Sequence, residues 1–159
     1  MTSWYNNWFG LGAEIDPQTQ LQQKVQFLSS GFFQPTSGST SNTITSATGV
    51  TLTVEQLILG QFLNREGAAS GPINDTTPSA SELIIYLRKL VLPFPVAQGF
   101  AWNIAYYNQT GQTVTLVAGS GVSIGTSISL ASGKISTLRF YVTNVTSGSE
   151  NVYVSLLGN

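Results

Sequence analysis

From Gly99 onward the apolar residues fall on every second position, and this period limits what the chain can build. Phe100, Trp102, Ile104 and Tyr106 alternate with Ala101, Asn103, Ala105 and Tyr107. Val114, Leu116 and Ala118 resume the pattern, then Leu138, Phe140 and Val142, and finally Val152, Val154 and Leu156. Successive side chains of a strand point to opposite faces, so such runs make strands that bury one face. Turn residues separate them at Asn108-Gln-Thr-Gly111, Ala131-Ser-Gly-Lys134 and Thr146-Ser-Gly-Ser149, with two further short strands expected at 121–124 and 126–130. Five or six short strands, punctuated about every ten residues, predict a mainly β fold: an antiparallel β-sandwich or jelly-roll-like domain.

Before Gly99 the period is helical. Ser79-x-x-Glu82 has capping-box spacing behind Pro78, and Leu83, Ile84, Leu87, Leu90 and Val91 share one face until Pro93 ends the element. Thr53-Val-Glu-Gln56 repeats that spacing ahead of Leu57, Ile58 and Phe62. Here a helix over 54–60 and a strand over 57–63 both stay open, and Gly60 weakens either. Residues 64–78, NREGAASGPINDTTP, are expected as a loop carrying Arg65, Glu66 and Asp75.

The first 41 residues form an arm, separate from a body spanning 42–159. Asp16-Pro17 has the chemistry of an N-cap and first helical residue, and Leu21, Val25 and Leu28 follow at i, i+4 and i+7. A short helix over 17–29 with a narrow apolar stripe follows, and the polar run 34–49 extends from it as a strap. Ahead of the helix lie Trp4, Tyr5, Trp8 and Phe9, two of the chain's 3 tryptophans among them. Such a cluster either folds back on its own domain or anchors in a partner, since aromatic side chains bury large area with few rotatable bonds. The candidate partner contacts are therefore Trp4, Tyr5, Trp8, Phe9, Leu21, Val25 and Leu28.

Composition narrows the function classes. Only 8% of the residues are charged, for a net charge of −1, against about 25% in an ordinary soluble domain. Ser, Thr, Asn, Gln and Gly supply the polarity instead. The chain is too weakly basic for nucleic acid, and no apolar run reaches the roughly 18 residues of a membrane span. The longest candidate, Leu83 to Val96, is broken by Arg88, Lys89, Pro93 and Pro95. No basic and apolar leader opens the chain, so no signal peptide is expected. A surface this poor in charge is expected to be covered by neighbouring chains, which points to a homo-oligomer.

Chemistry is thin. With no cysteine and no histidine, thiol catalysis, zinc ribbons and a conventional Ser-His-Asp triad are excluded. The carboxylates are Glu14, Asp16, Glu55, Glu66, Asp75, Glu82 and Glu150, none at metal-ligand spacing. Glu66 and Asp75 share a loop, read either as a weak cation site or as solvated loop charges. Gly119-Ser120-Gly121 invites a phosphate-loop reading, but with Gly125 it spells G-x-G-x-x-x-G, one residue too long, and a strand rather than a helix follows. It is expected to be a bend between two strands. Trp102, Tyr106 and Tyr107 read either as a sugar-binding face or as core. Three Asn-x-Thr sequons begin at Asn74, Asn108 and Asn144. No enzyme activity, cofactor or metal is expected.

Four segments carry a resemblance: "NTITSATGVTLTVEQLILGQFLNR", "TTPSASELI", "TVTLVAGSGVSIGTSISL" and "RFYVTNVTSGSENVYVSLLG". Their shared pattern is an aromatic strand ending in Asn, a T-x-T-L-x-A-G-x-G-V run, a hairpin, then R-F-x-V and T-N-V-T-x-G-S-E. From about Asn42 to Leu157 the chain resembles small β-rich modules of virion structural proteins in large double-stranded DNA viruses and some tailed phages. The resemblance implies a non-enzymatic protein of the virion, a minor capsid protein with other capsid proteins, including a major capsid protein, as partners. Its alternative implication is a receptor- or glycan-binding spike or fibre protein. Residues 1–41 lie outside it.

Overall fold

Thr53 resolves the ambiguity over residues 54–63. In a computed structural model, which describes residues 42–60, 62–90 and 96–158, the Thr53 hydroxyl accepts a hydrogen bond from the Gln56 amide (3.2 Å) and the Gln56 side chain accepts one from the Thr53 amide (2.8 Å). This reciprocal pair starts helix α1, Val54–Ile58. The helix stops before Gly60, and the chain re-emerges as a strand over Phe62–Arg65. The two local tendencies are both realised, one after the other.

Helix α2, Ala80–Leu90, starts in the same way. The Ser79 hydroxyl accepts from the Glu82 amide (3.2 Å), while the Glu82 carboxylate accepts from the Ser79 amide (2.8 Å) and hydroxyl (2.7 Å). The Ser79 hydroxyl, then its amide, hold the Glu82 carboxyl below its ordinary value. Leu83, Ile84 and Leu87 are fully buried, but Leu90 is 37% exposed, so the apolar stripe is narrower than its sequence suggests. Val91 lies outside the described residues.

In chain order the strands are β1 Asn42–Ile44, β2 Phe62–Arg65, β3 Ile73–Thr76, β4 Ala101–Asn108, β5 Val114–Val117, β6 Val122–Ile124, β7 Ile128–Leu130, β8 Lys134–Asn144 and β9 Asn151–Gly158. They form a six-stranded sheet in the order β1-β2-β4-β8-β9-β6 and a three-stranded sheet β3-β5-β7. Among the described residues the fold is mainly β with two helices, as the sequence predicts.

The pairing departs from the antiparallel sandwich expected above. β1–β2, β2–β4, β3–β5 and β6–β9 are parallel, while β4–β8, β5–β7 and β8–β9 are antiparallel. Two physical facts account for this. Parallel neighbours need a crossover, and α1 lies between β1 and β2 while α2 lies between β2 and β4. In addition, most turns between β4 and β9 are not hairpins. The chain passes from the large sheet (β4) to the small one (β5), back (β6), across again (β7) and back (β8); of these consecutive pairs only β8 and β9 are neighbours in one sheet.

The bend at Gly119–Gly121 is one of these crossings, from β5 to β6. Gly121 has φ of 71°, and a Cβ at Gly119 would collide with the Thr77 carbonyl oxygen. The Ser120 carbonyl accepts a hydrogen bond from the Ala80 amide (2.8 Å), satisfying a donor in the first turn of α2. The bend between strands is present, and it also caps a helix.

One shared core fills the space behind the large sheet. On its inner face Trp102 lies opposite Phe140, which lies opposite Val154. The Trp102 and Phe140 rings stack at 5.0 Å and 15°, and the Trp102 indole N–H donates to the Leu57 carbonyl (2.8 Å), fixing α1 to the sheet. Phe140 is completely buried. Phe140→Ala should therefore lose about 3–5 kcal/mol of stability, seen as a lower urea midpoint with an unchanged m-value.

Candidate functional site

The alternation that buries Leu63 in β2 buries the next inward residue too, and that residue is Arg65, with no exposed surface. A cation placed there needs a complete set of acceptors. Residues 73–76, expected within a loop, are strand β3, and this strand turns Asp75 inward, also with no exposure. Arg65 Nε donates to Asp75 Oδ2 (2.9 Å) and Nη2 to Oδ1 (3.4 Å). Arg65 Nη2 also donates to the Thr48 carbonyl (2.6 Å), and Nη1 to the Ser46 carbonyl. The Tyr106 hydroxyl donates to Asp75 Oδ2 (2.6 Å), and the Val50 amide to Oδ1 (3.1 Å).

These bonds converge on residues 46–50, the segment that leads from β1 into the body. The Glu66 amide donates to the Ile44 carbonyl (2.8 Å); the Leu52 amide donates to the Thr76 carbonyl and the Thr76 amide to the Val50 carbonyl, both at 2.8 Å. A Cβ at Gly67 would collide with the Ser46 carbonyl, so the two backbones meet too closely for any side chain. The strap is thus stitched to β2 on one side and β3 on the other, with the ion pair beneath it.

Burial, then the Asp75 charge and hydrogen bond, push the Tyr106 phenol well above its ordinary value, so it serves as a neutral donor. Among the described residues every buried side-chain nitrogen and oxygen has a hydrogen-bond partner. A closed, saturated network of this kind fastens; it offers no open position where a ligand could replace a partner.

A second buried polar group lies beside it. The residue paired with Arg65 on β4 is Asn108, also without exposure. Asn108 Nδ2 donates to the carbonyls of Gln112 (2.8 Å) and Leu130 (2.7 Å), and Oδ1 accepts from the Thr110 amide (3.0 Å) and hydroxyl (2.8 Å). It ties the end of β4 to the chain entering β5 and to the end of β7.

These positions revise several expectations. Asp75 is not a solvated loop charge, and it does not converge with Glu66, which is exposed and accepts a hydrogen bond from Asn64 Nδ2. The pair therefore forms no cation site. Trp102 and Tyr106 face the core; of the three rings considered for sugar binding only Tyr107 stays on the outer face, 6.2 Å from the Phe62 ring. Of the three sequons, Asn108 has its amide fully engaged in the interior, Asn144 is half-buried and Asn74 is exposed. Trp4, Tyr5, Trp8, Phe9, Leu21, Val25 and Leu28 lie outside the described residues, as does the helix expected over 17–29.

Arg65, Asp75, Tyr106 and Asn108 were not singled out together by sequence reasoning. The available signal was period: Leu63 and Arg65, then Ile73 and Asp75, stand two apart in short β-compatible runs bounded by turn residues. No known protein family, characterised protein or solved structure matches the chain.

Removing one partner of this pair leaves the other buried and unpaired. Arg65→Ala should cost about 3–5 kcal/mol, whereas Arg65→Met combined with Asp75→Leu should cost much less; urea unfolding of the two variants measures the difference. The tyrosine gives a pH test. The folded protein keeps the Tyr106 phenol protonated where the unfolded chain loses the proton near pH 10. Its contribution is complete below about pH 10 and is lost as pH rises further. Tyr106→Phe should flatten that part of the alkaline slope in denaturation midpoints taken from about pH 8 to about pH 11.

Proposed function

We propose that this protein is a non-enzymatic structural component of a virus particle, a minor capsid protein that oligomerises and reaches neighbouring shell proteins, a major capsid protein among them, through residues 1–41. The observation that supports this most is the place of the one buried ion pair among the described residues. A protein held in a shell by an N-terminal arm transmits force from its neighbours through the point where the arm meets the body. That point is residues 42–52, and the Arg65–Asp75–Tyr106 network closes on it. Enzymes place their perturbed groups in open clefts; here the Tyr106 phenol, the most strongly shifted group, is sealed beneath a strap.

Composition supports the same reading. With 8% charged residues, the surface suits burial against other subunits, since interface cores are depleted of charge. The arm would contribute Trp4, Tyr5, Trp8 and Phe9 as anchors, with Leu21, Val25 and Leu28 as an apolar stripe. The spike or glycan-binding alternative draws less support, because Trp102 and Tyr106 face inward.

The full chain carrying Trp4→Ala, Tyr5→Ala, Trp8→Ala and Phe9→Ala should copurify with particles at least about tenfold less than the unaltered chain, equivalent to about 1.4 kcal/mol. Quantitative mass spectrometry against the main shell protein reads this out. Undiminished incorporation of a folded variant would refute the arm's role.

A further inference from the structure

We infer that the outward face of the six-stranded sheet is the surface on which a second copy of this chain docks, face to face. This rests on the assembly reading above and names the partner and the surface.

Register and burial define this face: it runs from Phe62 on β2 through Tyr107 on β4 to Ser123 on β6, and β8 and β9 complete it. On β8 the outward side chains are Ile135, Thr137, Arg139, Tyr141 and Thr143, and on β9 Asn151, Tyr153, Ser155 and Leu157. Arg139 is the single charged group among them, although the face crosses six strands. Ile135 and Leu157, the two most exposed large apolar residues described, are 52% and 53% exposed and both lie on it. Leu157 sits where β9 bulges, since Thr137 pairs with Gly158 and Leu138 with Leu156. That bulge pushes a leucine outward at the rim.

Dimensions favour a sheet-sized partner. Six strands about 4.8 Å apart, with 8, 11 and 8 residues in β4, β8 and β9 and 3 or 4 in the others, give a plane of roughly 600 Å², which side-chain relief enlarges. A standard stable interface covers about 800 Å² per partner. The other ways for two copies to meet are weaker. The sheet edges β1 and β6 have 3 residues each, too short for edge pairing. The outer side of α2 exposes Ile85 and Leu90 beside Arg88 and Lys89, which would repel their own copies. Sheet-on-sheet packing of half-apolar faces poor in charge is the architecture of β-sandwich interiors, and a symmetric dimer needs only one such surface.

Sedimentation equilibrium on the full chain tests this. The unaltered protein should dimerise, and Ile135→Glu with Leu157→Glu should weaken dimerisation at least about 100-fold, while Ile85→Glu on α2 should leave it unchanged. Because the chain has no cysteine, Thr137→Cys offers a second readout that needs no disruptive change. A short bis-maleimide should cross-link it to dimer, and Ser129→Cys on β7 should stay monomeric. A monomer up to about 100 µM, or dimers unaffected by the face variants and not cross-linked through position 137, would overturn the inference. A dimer in solution that never enters particles would leave this face standing and remove the capsid reading; the converse result would do the opposite.

Discussion

Arg65 and Asp75 lie in different sheets, ten residues apart in sequence, and their buried ion pair ties the two sheets together. An isolated guanidinium at this depth has no tolerable alternative, so any packing that slides β3 along β2 by one residue would strand it. Replacing such a pair with apolar side chains often leaves a protein equally stable. Its value here is therefore positional. It selects one placement of β3, one path for residues 46–50 and one rotamer for Tyr106, and the neighbouring Asn108 repeats the device for β5 and β7.

Much of the fold was legible in the residues, and the part that was not had a physical reason. Period-two alternation located β4, β8 and β9 because a half-buried strand leaves that mark whichever strand it pairs with. The Ser79 and Thr53 boxes located both helix starts because capping chemistry is local. Which sheet each strand joins was not legible. Gly111, Gly121 and Gly133 all adopt positive φ, and a glycine that lets the chain double back in a hairpin looks the same in sequence as one that lets it cross to another sheet. The clearest hint of parallel pairing was the pair of helices between early strands, which only a crossover accommodates.

The interior polar residues were missed for a related reason. Arg65, Asp75 and Asn108 belong to residue types that are usually exposed, and in a segment as polar as 64–78 they look like more of the same. The period-two spacing of Leu63 with Arg65 and of Ile73 with Asp75 is the one trace of their inward turn, and in runs this short the surrounding polarity masks it. The outer face shows the reverse case. Its scarcity of charge is visible in composition, yet its continuity across β4, β8 and β9 needs the register to be known.

The crossing corners also bear on the order in which the chain can acquire its shape. β1 pairs only with β2, across a crossover, and β2 must wait for β4, some 40 residues later in synthesis, before the two join the rest of the large sheet. β3 waits likewise for β5. Among consecutive strands, only β8 and β9 can close early as a hairpin. Contacts this distant in sequence slow folding, and the strap under which the buried charges lie is made first and secured late. Until then the N-terminal third of the body has no sheet to join, so the finished joint forms only once β4 and β5 have been made.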